Sequence, residues 1–105
     1  MNAYCRYEIL LPRRFNDGRR VPPTLLRQTF RELEARFGAV SAERQTIVGS
    51  WREGATTYRD ELVRIFVDVP TGPEHEAFFE DYKGILKQRF QQIEIWITAH
   101  DIRVL

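Results

Sequence analysis

The chain has 105 residues, 43% of them hydrophobic and 30% charged, with a net charge of +1. This is one domain with a thin but real core, and its overall charge names no partner. The lone cysteine, Cys5, excludes an internal disulfide and a multi-cysteine zinc site. No apolar run reaches transmembrane length, and the N-terminal "MNAYCRYE" lacks the apolar core of a signal peptide, so a soluble, cytoplasmic protein with no membrane partner is expected.

The charge is unevenly spread. Residues 1–40 carry eight arginines and four acids, a surplus of +4, while residues 41–105 carry eight lysines or arginines and eleven acids, a deficit of −3. The N-terminal part is therefore the place to look for an anion-binding surface.

Residues 4–11, "YCRYEILL", alternate as a strand, with Cys5, Tyr7, Ile9 and Leu11 on one side. Pro12 ends it. A loop follows, centred on the turn Asn16-Asp17-Gly18 and closed by Pro22 and Pro23. Pro23 suits the first turn of a helix over 24–37, whose apolar stripe is Leu26, Phe30, Leu33 and Phe37. Glu32 and Arg36 form a helpful pair four apart, and Gly38 is the natural cap. Residues 46–51 and 57–69 read as two strands of a hairpin turning at Gly54. Val63, Ile65, Val67 and Val69 mark the buried side of the second of these. Pro73 opens another helix, approximately 73–91, with Phe78, Phe79, Tyr82, Ile85, Leu86 and Phe90 as its stripe. Gly84 within it weakens the helix and is expected to admit close approach to the sheet. The last strand, 93–98, puts Ile93, Ile95 and Ile97 inward; residues 102–105 extend it or add a short strand.

Strand, helix, strand, strand, helix, strand predicts a single α+β domain over 1–105. It is a ferredoxin-like βαββαβ sandwich with strand order 4-1-3-2 and both helices on one face. The other face is then open. Parity places Arg6, Glu8, Leu10, Leu62, Arg64, Phe66, Asp68, Glu94, Trp96 and Thr98 on it. Thr46, Val48 and Ser50 join them if Ile47 and Trp51 point inward. Leu10, Leu62, Phe66 and Trp96 are the expected apolar centre of an oligomer interface, a dimer above all. RNA bound on the sheet is disfavoured, because only Phe66 is a central-strand aromatic and Glu8, Asp68 and Glu94 share the face.

Arg13, Arg14, Arg19 and Arg20 crowd the first loop. Four guanidiniums there are a candidate clamp for a small anion or for nucleic-acid phosphate. The competing expectation is an exposed loop whose arginines pair with acids of a neighbouring subunit. Asp60 and Glu61 are adjacent in a strand and point opposite ways, so they form no paired-carboxylate site. His75, Glu76, Glu80 and Asp81 lack a recognised metal-ligand spacing and read as a solvated helix start. No catalytic residue, metal or cofactor is assigned. In length and topology the chain resembles the small ferredoxin-like ribonucleases of CRISPR adaptation. That family's aspartate at the end of strand one has no counterpart at Leu11-Pro12, so a ribonuclease or other hydrolase is disfavoured.

Five motifs recur as a set: "NDG" at 16–18, "FGA" at 37–39, "GSW" at 49–51, "YRD" at 58–60 and "QRFQQIEIWI" at 88–97. The set resembles a group of small bacterial proteins of unknown function. They share a DG turn, a helix ending in FGG or FGA, a G-x-W on strand two and Y-x-D opening strand three. The resemblance covers most of the chain and implies the fold but no activity. Ala39 departs from the second glycine of that pattern. In physical terms, Gly49 gives a neighbouring side chain room or marks a bulge. Trp51 is expected to plug the core under the first helix, with Tyr58 stacking across the hairpin. Asp60 is expected to accept hydrogen bonds from the loop after Gly38, or from Arg13 or Arg14. Trp51, Tyr58 and Asp60 are thus either a structural brace or the lining of a pocket. The sequence as a whole predicts a non-enzymatic domain that works by association with copies of itself or with another protein.

Overall fold

The computed structural model describes residues 2–105, and all of their side chains except those of Asn2 and Arg44. The elements run β1 (Asn2–Pro12), α1 (Pro23–Phe37), β2 (Ser41–Glu53), β3 (Thr56–Pro70), α2 (Pro73–Arg89) and β4 (Trp96–Val104). Among the described residues the four strands form one sheet in the order β2-β3-β1-β4, and every neighbouring pair is antiparallel. The domain is therefore α+β, with two helices. No helix among the described residues is long and apolar enough to cross a membrane.

The ends of the helices follow from local chemistry. Prolines stand in the first turn of both, where no N–H is missed. Gly38 ends α1 at φ 81°, its N–H donating to Glu34 O at 2.8 Å. Only Gly38 needs the left-handed conformation there, so Ala39 fits without strain. In α2, Glu74 and Glu76 lie in the first turn and Lys87 and Arg89 in the last, as the helix dipole favours. Gln91 takes φ 53° so that the Gln92 N–H reaches Lys87 O at 2.9 Å.

Both helices cover the sheet face formed by Cys5, Tyr7, Ile9 and Leu11 of β1 and Val63, Ile65, Val67 and Val69 of β3. Leu33 of α1 and Phe79, Tyr82 and Leu86 of α2 fill the space above it, with Phe90 just beyond α2. One end of this core is aromatic. Tyr7 stacks on Phe79 at 4.3 Å, Phe37 stacks on Phe79 at 5.5 Å, and Phe78 meets Phe79 edge-on at 5.1 Å. The other end is closed by the first loop, which places Phe15 and Val21 in the core. Its backbone is pinned by Phe15 N–H to Arg19 O (2.8 Å) and Val21 N–H to Arg13 O (2.9 Å).

Several expectations are corrected. Glu32 does not pair with Arg36. It takes a two-pronged contact from Arg89 of α2 (2.8 and 2.9 Å) and a 2.7 Å hydrogen bond from the Tyr82 hydroxyl, while Arg36 lies over the Phe78 ring at 4.3 Å. Arg89 also donates to Thr29 Oγ1 at 2.9 Å, and that hydroxyl donates to Leu25 O. The helices are thus joined by a polar cluster as well as by apolar packing. The last strand begins at Trp96 and runs to Val104, so Ile93 precedes it and is exposed. Ile85 is also exposed.

Gly84 does not mediate a close approach: an added Cβ there would meet nothing within 4 Å. Gly84→Ala is accordingly expected to raise stability by about 0.5–1 kcal/mol, read as a higher urea midpoint at unchanged slope. A lower midpoint would show that α2 needs the glycine.

Strand β2 carries the largest difference. Its register against β3 shifts between Glu43 and Ile47: Glu43 pairs with Arg64 and Ile47 with Leu62, so residues 44–46 stand opposite Val63 alone. The bulge adds two residues and preserves parity. Ile47, Gly49 and Trp51 therefore pair with Leu62, Asp60 and Tyr58 on the open face, and Val48 points to the helix side. No described side chain of β2 is buried, and Val48 is 77% exposed, because the helices do not extend over this strand.

Candidate binding groove on the open sheet face

The open face divides into a charged half and an apolar half. In the charged half Arg6 grips Asp68 with two hydrogen bonds, 2.8 and 3.0 Å. Arg64 contacts Glu43 closely and Glu8 at 3.5 Å. Phe66 lies between these arginines, 4.5 Å from Arg6 and 5.8 Å from Arg64. Its ring is thus engaged within the chain by cation–π contact, and it does not belong to the same patch as Leu10, Leu62 and Trp96. Thr98 Oγ1 and His100 Nε2 lie 2.8 Å apart at the β4 side, with Glu8 3.8 Å from the same ring nitrogen. Among the described residues two arginines here face three acids, Asp68, Glu43 and Glu8, which leaves no basic field for a polyanion.

The apolar half is concave. A groove of about 620 Å³ runs between the β2–β3 hairpin and the segment leading into β4. Buried Pro12 and Ile95 and half-buried Leu10 and Leu62 line it, with Trp51 at the hairpin side and Trp96 at the β4 side. Trp96 is 62% exposed. Gly49 keeps the groove open: a Cβ there would stand 3.1 Å from Leu62 Cδ1.

Trp51 is held in place rather than plugged into the core. Its indole N–H donates to Asp60 Oδ2 at 2.8 Å, and its ring stacks on Tyr58 at 4.4 Å and 17°. Gly49 and Asp60 face each other across the hairpin, as do Trp51 and Tyr58. The G-x-W and Y-x-D motifs are therefore one cross-strand unit. Asp60 takes its bond from the indole, not from the loop after Gly38 or from Arg13 or Arg14. Brace and lining are the same residues here, since Trp51 and Asp60 both border the groove. Glu53 and Glu94 border it too, as does Arg52. Glu94 receives Lys83 at 2.9 Å and the Ile95 N–H at 2.9 Å, and the lysine holds its carboxyl below the ordinary glutamate range.

Of the loop arginines, Arg14 and Arg20 stand opposite each other across an isolated antiparallel bridge. Arg19 turns back to Asp17 at 2.6 Å and lies over Phe15, 4.9 Å from the ring centroid. The backbone and guanidinium N–H groups of Arg19 hold the Asp17 carboxyl below its usual range. Arg14 donates to Gly18 O at 3.2 Å and approaches Glu61 at 3.9 Å. Arg20 is exposed, bridged through its backbone to Arg14. No protein-family model matches the chain, and no curated protein and no solved structure gives a match. The groove is thus characterised by its own chemistry. Among the described residues no three histidines, cysteines or acids are grouped as a metal would need; His75 lies 3.4 Å from Glu74 and meets the Phe37 ring edge-on at 5.7 Å.

The groove was partly visible from parity. Alternation alone places Leu10, Leu62 and Trp96 on the open face. The motif names Trp51 with Tyr58 and Asp60 as a brace or pocket lining, but its alternation with Ile47 and Gly49 says which residues share a face, not which face they share.

Proposed function

We propose that this is a non-enzymatic association domain of ferredoxin-like topology, and that its open sheet face binds a second copy of the chain. One observation carries the proposal. A large, exposed indole, Trp96, and a second one fixed by a hydrogen bond, Trp51, border an apolar groove on a face that no helix covers. Aromatic groups held rigid beside an apolar depression are the usual anchors of protein interfaces, because little side-chain entropy is lost on contact. A face shared by identical copies is self-complementary about a two-fold axis, so one patch serves both partners. Nucleic acid or a small anion at the 13–20 loop is disfavoured, since two of its four arginines are spent on Asp17 and Glu61.

Light scattering after size exclusion tests this. The chain weighs 12.5 kDa, and the wild-type protein is expected at twice that mass. Trp96→Glu, which places a charge at the edge of the groove without touching the core, is expected at the monomer mass. A variant that keeps the wild-type mass would remove the face from consideration.

A further inference from the structure

We infer that the groove between Trp51 and Trp96 is completed by Arg20 from the first loop of a second copy of the chain. The inference rests on self-association through the open face and adds the residue that fills the site. The groove is suited to a cation with an apolar stem. Indole rings border both its sides, and a guanidinium stacks on an indole face favourably. Three carboxylates, Glu53, Asp60 and Glu94, border it against one guanidinium, Arg52. Asp60 is occupied by the Trp51 N–H and Glu94 by Lys83. Glu53 has no cationic partner among the described residues, and it is exposed.

The complementary group lies in the same chain. Of the loop arginines described above, Arg19 and Arg14 have carboxylate neighbours within the loop or on β3. Arg20 has none among the described residues and is exposed. The loop also starts where the groove ends, because Pro12 lines the groove and Arg13 is the next residue. With a two-fold axis beside the Pro12–Arg13 boundary, the proposed pair sets each loop against the other copy's groove, and the contact is made twice per dimer. The uneven charge of the chain, basic before residue 41 and acidic after it, follows the same division.

Sedimentation equilibrium of four proteins tests the pairing: wild type, Arg20→Glu, Glu53→Arg and the double reversal. Each single reversal is expected to weaken the dimer about tenfold or more, and the double reversal to return it to within roughly threefold of wild type. Singles that leave the dimer intact, or a double no tighter than the singles, would overturn the pairing while leaving self-association standing. A wild-type protein that stays monomeric at millimolar concentration would overturn both. Should a reversal fail to fold, Arg20→Gln and Glu53→Gln supply the same cycle, and a coupling factor under about twofold would count against the pairing.

Discussion

Glu32→Ala is expected to destabilise the protein by about 2–4 kcal/mol, although Glu32 lies on a helix flank and is only half-buried. The loss comes from what is left behind. Arg89 is 11% exposed and would keep only Thr29 Oγ1 as a partner, and the Tyr82 hydroxyl would keep none of the bonds described above. A buried charge without its counter-ion costs more than the pair ever contributed. Replacing the whole cluster with apolar groups, Glu32→Leu with Tyr82→Phe and Arg89→Met, should therefore recover most of the loss. Denaturant titration of the single and triple variants measures both. Equal instability of the two would mean that the charges themselves hold the helices together.

The same cluster fixes an acid sensitivity. The Arg89 guanidinium, helped by the Tyr82 hydroxyl, holds the Glu32 carboxyl below its usual value of 4.5 in spite of partial burial. A depressed folded-state pKa stabilises the fold above the unfolded value and loses that contribution as pH falls through the folded one. Wild-type stability should thus fall on acidification below about pH 4.5, and this component should be missing from Glu32→Ala. The tyrosine moves the other way, its ionisation raised first by burial and then by the neighbouring carboxylate.

Phe79→Ala has the largest expected cost, about 3–5 kcal/mol. Its ring is 3% exposed and contacts Tyr7, Phe37 and Phe78, so it joins β1, α1 and α2 at one point. Truncation loses the buried area and the ring–ring terms and leaves a cavity between three elements that cannot collapse together. Against a total of about 5–15 kcal/mol for a domain of this size, the melting temperature should drop by roughly 15 °C or more. Calorimetry reads this directly. A drop of only a few degrees would show that Phe78 swings in to fill the space.

Much of the fold was legible because two periods were clean. Alternation in 4–11 and 63–69 marked the sheet core, and the spacing of Leu26, Leu33 and Phe37 and of Phe79, Tyr82 and Leu86 marked the helix faces. Capping chemistry at Pro23, Gly38 and Pro73 set the boundaries. Phe15 and Val21 are not legible as core, because polar neighbours make 13–21 look like surface loop. The Glu32–Arg89 pair is hidden in the sequence because a helix displays its own i,i+4 partners and conceals those on another helix. The groove itself was half legible. Trp51 and Trp96 are separated by 44 further residues, and only the bulge at 44–46 and the late start of β4 set them on opposite sides of one depression.

That bulge bears on how copies of the protein add together. An outer strand with a continuous row of free N–H and C=O groups invites another chain to extend the sheet, and nothing then stops a third from doing the same. β2 is such an outer strand, but three of its residues stand opposite one of β3, so its free side cannot present an unbroken ladder. Growth at the β2 edge is interrupted, while contact perpendicular to the sheet is left open. In the proposed pair, stacking through a single face closes after two copies, so a finite pair is expected instead of a fibre.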